Sequence, residues 1–360
     1  MGDAASASAP TTPKHSFPYF EDGNIVISAS TSKRRCKVFR VHKSVLAFHS
    51  HVFADMFTLP TLPDNTTMEM YDGVPLVHLP DPAEEVAELF TLLYKPSALR
   101  YDRRDPCLPL DLEPLLTLCR KYGLDDLLAR LLHEFESAWP QTLTQWDALE
   151  AEIALEVEAY KEGRDDSQVY VDRRYPEPIA AIQLAREFEI DTIPPVAFYH
   201  LSRLEIDLDY DVIHGYDDTT SQRQWDKLFM GLRSARWGAL SAADFRLVLR
   251  GRERLSRLHQ NLIHEFFRKS NFSSCPGENC CVSTSIEFMA IAERLSAEKC
   301  NDLLQFMKVS FMAPEMEKRG FCHNCALKAQ NIIGWWRETL WDNLGKVFIE
   351  EQIDEYGFWS

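Results

Sequence analysis

Long apolar runs and an excess of basic residues are both missing from this sequence of 360 residues. No stretch approaches the roughly 18 apolar residues of a membrane-spanning helix, and residues 1–18 contain no hydrophobic segment of the signal-peptide kind. The net charge is −16, which would repel nucleic acid phosphates and anionic lipids. We therefore expect an intracellular protein, cytoplasmic or nuclear, with neither a membrane nor a nucleic acid as its partner.

Glycine is scarce as well, and the motifs that depend on it are missing. The 14 glycines form no G-x-S-x-G or G-x-G-x-x-G motif and no phosphate-binding loop. His133 and His264 each precede a glutamate but lack the second histidine of a zinc-protease helix. The acidic run 147–166 is typical of a solvated helix face. We expect no catalytic residue, and an enzyme in the C-terminal half remains the alternative.

The spacing of the apolar residues changes several times within residues 18–138. The runs 24–30 and 37–41 predict a β-hairpin, and apolar residues at spacings of three and four from Lys43 onward predict two short helices. Ser50 is placed to cap the second of these helices. A third strand over 74–80 is followed by three helices, of which the last two are separated at Gly123. We expect the polar segment 60–73 and the charged segment 209–224 to be loops.

From residue 139 onward the strand signals nearly vanish, and helices beginning after prolines replace them. A long helix begins at Ser241, and Arg246, Arg250 and Arg254 form a basic stripe on it that we expect to pair with the acidic helix near residue 150. The sequence therefore predicts three parts: a disordered tail over 1–17, an α+β domain over 18–138, and a mainly helical domain over 139–360.

The stretch 38–57 resembles the core of a BTB/POZ domain, in particular that of the large BTB family of basidiomycete fungi. The matching residues are Phe39, Val41, His42, Lys43, Ser44, Val45, Leu46, Ala47, Ser50, Phe53, Met56 and Phe57. The resemblance spans about residues 18–138, and 139–360 resembles the C-terminal extension of the same proteins. It implies an α+β fold, a short mixed sheet flanked by helices, followed by a mainly α-helical C-terminal domain.

The resemblance also implies a non-enzymatic module that binds other proteins. Such domains often form homodimers and often act as transcriptional regulators or as substrate adaptors of cullin-type ubiquitin ligases. The family's charged pocket pairs an aspartate on the first strand with a basic residue after the histidine. Here the two positions are Asn24 and Lys43, so a hydrogen bond replaces the ion pair at best. We interpret His42 as a scaffold residue whose packed imidazole bonds to nearby backbone groups. Residues 1–17 are too polar for the family's strand-swapping segment.

The cysteines are the most specific chemical signal in the C-terminal half. Cys275 and Cys280 are separated by four residues, and Cys322 and Cys325 by two, so both pairs fall within the spacing of zinc ligands. Two such pairs could hold one structural zinc ion. Buried thiols without a metal are the alternative, and the sequence leaves both open.

Overall fold

The computed structural model describes residues 14–31, 35–59, 69–98, 101–162, 172, 175–215, 220–270, 275, 302–351 and 358. It divides into two compact units. The N-terminal unit comprises Met1–Arg103 and Leu108–Phe135, and the C-terminal unit comprises Arg104–Cys107 and Glu136–Ser360.

Five strands form one mixed sheet in the N-terminal unit. They are β1 (Lys14–Tyr19), β2 (Ile25–Ser30), β3 (Cys36–Val41), β4 (Met70–Tyr71) and β5 (Val74–Pro82), in the order β1-β3-β2-β5-β4. β2 and β3 are antiparallel, which confirms the predicted hairpin, and β5 runs parallel to β2. Ile25, Val26 and Ile27 are buried in succession because β2 lies in the middle of the sheet.

The sheet curls until side chains of its two edge strands meet. Nε2 of His15 on β1 lies 3.2 Å from the hydroxyl of Tyr71 on β4, and the Tyr19 hydroxyl donates to Asp72 just after β4. These polar contacts occur at the exposed rim of the unit.

β1 corrects part of the predicted disordered tail, because residues 14–17 belong to a strand; residues 1–13 lie outside the described residues. Its side chains are mostly polar and Phe17 is 57% exposed, so burial does not hold it. The strand is held instead by parallel backbone pairing with β3, which a hydrophobicity pattern cannot reveal. The two-residue β4 was likewise expected to be part of a loop.

Five helices complete the N-terminal unit, in the predicted order: α1 (Lys43–His49), α2 (His51–Thr58), α3 (Ala83–Tyr94), α4 (Leu108–Tyr122) and α5 (Asp125–Ser137). Phe39 of β3 packs edge to face on Phe90 of α3, with ring centroids 5.6 Å apart. Phe53 of α2 stacks on Tyr122 of α4 at 4.8 Å. The core of the unit therefore lies between the sheet and these helices.

Ser50 makes the predicted helix cap and a second bond. Its Oγ accepts from the backbone N–H of Phe53 at 2.9 Å, and its hydroxyl donates to the backbone carbonyl of Tyr122 at the end of α4. The residue is 1% exposed. Gly123 follows with a φ of 58°, and a Cβ there would lie 2.1 Å from Nε2 of His51. The end of α4 therefore packs closely against the start of α2.

Within the described residues of the C-terminal unit, all assigned secondary-structure elements are helices. The helices are α6 (Leu143–Lys161), α7 (Pro178–Glu187), α8 (Ile193–Arg203), α9 (Tyr210–His214), α10 (Gln222–Phe229), α11 (Ala242–Ser270), α12 (Leu303–Ser310), α13 (Ala313–Lys318), α14 (His323–Asp342) and α15 (Leu344–Phe348). This confirms the mainly helical prediction. The segment 209–224, expected to be a charged loop, contains α9 and the start of α10, which Asp209 and Ser221 cap.

The prediction for the arginine stripe on α11 needs correction at Arg254. Arg254 is 7% exposed, and its guanidinium donates to the backbone carbonyls of Lys346, Val347, Glu350 and Glu351 at the end of α15. The carboxylates of the acidic helix α6 bind other arginines instead: Glu150 binds Arg203 and Arg233, and Asp147 binds Arg337. Charge complementarity did not identify the partner of Arg254, because the unpaired carbonyls at a helix end also accept hydrogen bonds from a guanidinium.

Replacing Ser50 by alanine should lower the local free energy of unfolding by about 1 to 3 kcal/mol, because the cap is lost and a buried carbonyl loses its donor. Hydrogen exchange of the full chain, read on peptides covering α2, measures this change. Ser44→Ala is the matched control, since Ser44 is exposed in the first turn of α1. Equal effects of the two substitutions would contradict the assigned role.

Candidate functional site

The BTB-like signature residues divide into a buried and a partly exposed set. Phe39, Val41, Leu46, Ser50 and Phe53 are buried, while His42, Lys43, Val45, Ala47, Met56 and Phe57 are partly buried and Ser44 is exposed. The buried set holds the junction from β3 into α1 and α2. Its function is structural, and the surface around it is what another molecule would meet.

Asn24 and Lys43 lie together, as the sequence predicted, but the bond runs through the backbone. Oδ1 of Asn24 accepts from the backbone N–H of Lys43 at 2.8 Å. His42 is the N-cap residue of α1 and makes no side-chain cap, so Asn24 supplies an acceptor for the first turn instead. The Lys43 ammonium lies 5.6 Å from the ring centroid of Phe57.

His42 is held by side chains rather than by the neighbouring backbone groups that we expected. Its backbone N–H donates to the hydroxyl of Tyr94 at 2.8 Å, and its Nδ1 lies 3.1 Å from the same hydroxyl. Its Nε2 lies 3.3 Å from Oδ1 of Asp22, and its ring packs on Phe20 with centroids 5.3 Å apart. The imidazole therefore joins the start of α1 to the end of α3.

Two large apolar side chains of the helix pair α1–α2 remain in solvent. Phe48 on α1 is 83% exposed, and its ring touches only the edge of His49 among the ring contacts described for it. Leu59, the residue after α2, is 71% exposed. Exposed apolar groups of this size cost free energy in water, so both are candidates for burial against a partner.

Three of the four cysteines predicted to bind zinc lie together in the C-terminal unit. The Sγ atoms of Cys275, Cys322 and Cys325 lie within 4.8 Å of one another, and those of Cys275 and Cys322 are 3.6 Å apart. Cys322 immediately precedes α14 and Cys325 lies in its first turn. Cys280 lies outside the described residues.

This cluster fits a metal that prefers thiolates. Zinc binds sulfur at about 2.3 Å in a tetrahedral arrangement, which separates neighbouring sulfurs by about 3.8 Å. The 3.6 Å between Cys275 and Cys322 is close to that distance. The cluster could therefore hold a metal ion, with three ligands from the described residues.

A buried Asp–His–Ser group, not found from the sequence, lies elsewhere in this unit. Oδ2 of Asp172 accepts from the Ser234 hydroxyl at 2.6 Å and lies 2.9 Å from Nε2 of His214. The carboxylate lies between the other two groups, whereas nucleophilic catalysis needs the histidine in the middle. The adjoining cavity of about 10 Å³ holds about one water. No sequence motif links these residues, and their arrangement favours packing over catalysis.

A second buried polar group is centred on Arg203. Its guanidinium donates to Glu150 at 2.8 Å and to Asp302, and lies 4.5 Å from the ring centroid of Trp146. Burial alone would raise the pKa of Glu150, but Arg203 and Arg233 lower it to about 2. Burial, with help from the same arginines, holds the pKa of His200 well below its usual value. These groups hold α6, α8 and the start of α12 together.

A groove of about 370 Å³ lies between α12 and α14. Met307, Phe311 and Ile333 line it. Its two basic residues, Lys308 and Arg337, both bind Asp147, at 3.4 and 2.6 Å. The groove is therefore mainly apolar, and its charges already have partners.

The comparisons with known proteins give one match. Residues 25–136 match the family model of the BTB/POZ domain, so the chain contains such a domain. Domains of this kind are typically non-enzymatic interaction modules that commonly form homodimers and bind cullins. The searches of curated proteins and of solved structures found no match. Among the described residues, no helix has both the length and the apolar character needed to span a membrane.

Glu150 gives the C-terminal unit a testable pH dependence. A carboxyl whose pKa falls on folding stabilises the fold above its unfolded pKa, near 4.5, and loses that contribution as the pH falls toward 2. Glu150→Gln should therefore cost on the order of 2 to 3 kcal/mol at pH 7, and the difference from wild type should shrink below pH 4.5.

Tryptophan fluorescence during urea unfolding measures this difference, because all eight tryptophans lie beyond residue 138. The matched control is Glu158→Gln, an exposed glutamate on the same helix, which should change stability little at any pH. A cost for Glu150→Gln that stays constant from pH 7 to pH 3 would refute the prediction.

Proposed function

Because residues 25–136 are a BTB/POZ domain, we propose that this protein acts by binding other proteins and that one partner is a second copy of the same chain. The family match is the observation that carries the proposal. The buried signature residues support it, since they account for the domain as a scaffold and supply no catalytic group. The adaptor or oligomerisation function would then belong to exposed surfaces.

The helix pair α1–α2 is the proposed binding surface. Phe48 and Leu59 are large, apolar and largely exposed, and aromatic and aliphatic side chains of this kind form the energetic centre of protein interfaces. On the same helix pair, the Lys43 ammonium lies near Phe57 and adds a positive charge. A surface with two apolar anchors and one cation suits a protein partner better than a small molecule.

A cullin is the alternative partner. We expect an adaptor to contact a cullin through the helices flanking residues 53–62 and through those after Trp139. Leu59 supports this, because the exposed leucine lies within 53–62. In that case residues 139–360 would carry the surface for a substrate protein. We also propose that these residues are the helical extension of the basidiomycete BTB family; the support is their sequence resemblance and their helical fold.

We further propose that the cysteine cluster holds a structural zinc ion. The convergence of Cys275, Cys322 and Cys325 supports three ligands, and the spacing of Cys275 and Cys280 supports Cys280 as the fourth. Four thiolates leave no position for a substrate, so the ion would fasten Cys275 to the start of α14 and stabilise the unit. A reducing intracellular compartment would keep these sulfurs available.

Light scattering of the full chain should give twice the monomer mass, and Phe48→Glu should shift it to the monomer mass, because a charge cannot be buried at an apolar contact. Leu155→Glu, an exposed leucine on α6, is the control and should leave the mass unchanged.

If the wild type is monomeric, the cullin alternative is tested by co-purification from native cells. Leu59→Glu should then reduce the recovered cullin, while Leu155→Glu should not. A wild-type chain that neither self-associates nor retains a protein partner would refute the proposed function.

Elemental analysis of protein purified without chelator should find about one zinc per chain, and Cys322→Ser and Cys280→Ser should each lose it. Cys36→Ser and Cys281→Ser are the controls: Cys36 is exposed on β3, and Cys281 is the thiol next to the proposed ligand. Wild-type protein without zinc, or Cys322→Ser protein that keeps it, would contradict the proposed site.

A further inference from the structure

The cysteine cluster has a second chemistry besides metal binding. We propose that oxidation of the cluster joins Cys275 and Cys322 in a disulfide and leaves Cys325 reduced. The inference deepens the proposed zinc site, because the same sulfurs serve both, but it depends on the positions of the thiols and not on the metal.

The distance between the sulfurs favours this pair. The Sγ atoms of Cys275 and Cys322 are 3.6 Å apart, and both residues are thiols rather than halves of a disulfide. A disulfide needs about 2.05 Å between sulfurs, so the two must approach by about 1.5 Å. The two cysteines come from chain segments 47 residues apart, so the bond would be a long-range cross-link.

Accessibility selects the same pair. Cys275 and Cys322 are both partly exposed, whereas Cys325 is 8% exposed in the first turn of α14. An oxidant dissolved in water reaches a partly exposed sulfur first, and the next sulfur to react is the one in contact with it. The Sγ of Cys275 lies 3.6 Å from that of Cys322, within such contact.

The reaction with a peroxide balances without another reactant. One thiolate attacks a peroxide oxygen, the O–O bond breaks, and a sulfenic acid forms as hydroxide leaves. The second thiolate attacks the sulfenic sulfur, the S–S bond forms, and a second hydroxide leaves. The two protons that the thiols released on ionising convert both hydroxides to water. Two thiols are oxidised by two electrons in total, and the peroxide is reduced to two waters.

The consequence is a connection that persists in both redox states. Under reducing conditions a bound metal would fasten Cys275 to the start of α14, and under oxidising conditions the disulfide would do so. The two states exclude each other, because sulfurs joined in a disulfide are no longer thiolate ligands. Peroxide would therefore release the metal while the link between residues 275 and 322 remains.

The test treats the full chain with hydrogen peroxide after removal of metal by a chelator, then alkylates the remaining thiols and maps peptides by mass spectrometry. The expected product carries a Cys275–Cys322 disulfide and an alkylated Cys325. Cys325→Ser should form the same disulfide, and Cys322→Ser should not. Protein loaded with zinc should react roughly tenfold more slowly, because its thiolates are coordinated.

A dominant disulfide between Cys322 and Cys325, or between Cys275 and Cys280, would overturn the inference, as would no disulfide in the wild type. Zinc content, measured before oxidation, separates this result from the proposed metal site. Protein that binds no zinc but forms the Cys275–Cys322 bond would refute the proposed zinc site alone. Protein that binds zinc but never forms this bond would refute the proposed disulfide alone.

Discussion

The buried hydroxyl of Ser50 is the interaction on which the N-terminal unit depends most. It accepts from the first turn of α2 and donates to the last carbonyl of α4, so one side chain fixes two helices that are distant in sequence. The close approach at Gly123, where a Cβ would collide with His51, depends on the same arrangement. With α2 held there, Phe53 stacks on Tyr122 in the core, and Phe48 and Leu59 remain outside.

A similar division between scaffold and surface holds at the start of α1. Asn24, the residue before β2, caps α1, and His42 bonds to Tyr94 of α3, so the polar groups of this junction already serve the fold. Lys43 uses only its backbone N–H there, which leaves its ammonium near Phe57 at the surface. A surface with apolar side chains and one cation is consistent with protein recognition.

The C-terminal unit uses most of its conspicuous polar groups to join helices. Arg254 satisfies the carbonyls at the end of α15, and Arg203 bridges Glu150 and Asp302 across three helices. Buried ionic groups of this kind are costly unless every charge is paired, and here they are placed to pair. The cysteine cluster differs, because its three sulfurs lie within 4.8 Å of one another and could hold a metal ion.

Patterns along the chain are enough to predict the elements whose signal is local. The β2–β3 hairpin, the two helices around Ser50 and the helical character after residue 139 follow from side-chain periodicity and capping, which neighbouring residues decide. The contacts between distant segments could be identified only from the tertiary structure. β1 is held by backbone pairing, Arg254 binds carbonyls that no charge pattern marks, and Asp172 meets His214 and Ser234 without a motif. The cysteines lie between these two cases. Their spacing predicted two pairs, but the contact between Cys275 and Cys322 is visible only in the fold. Packing sets the distances between residues that are far apart in the chain.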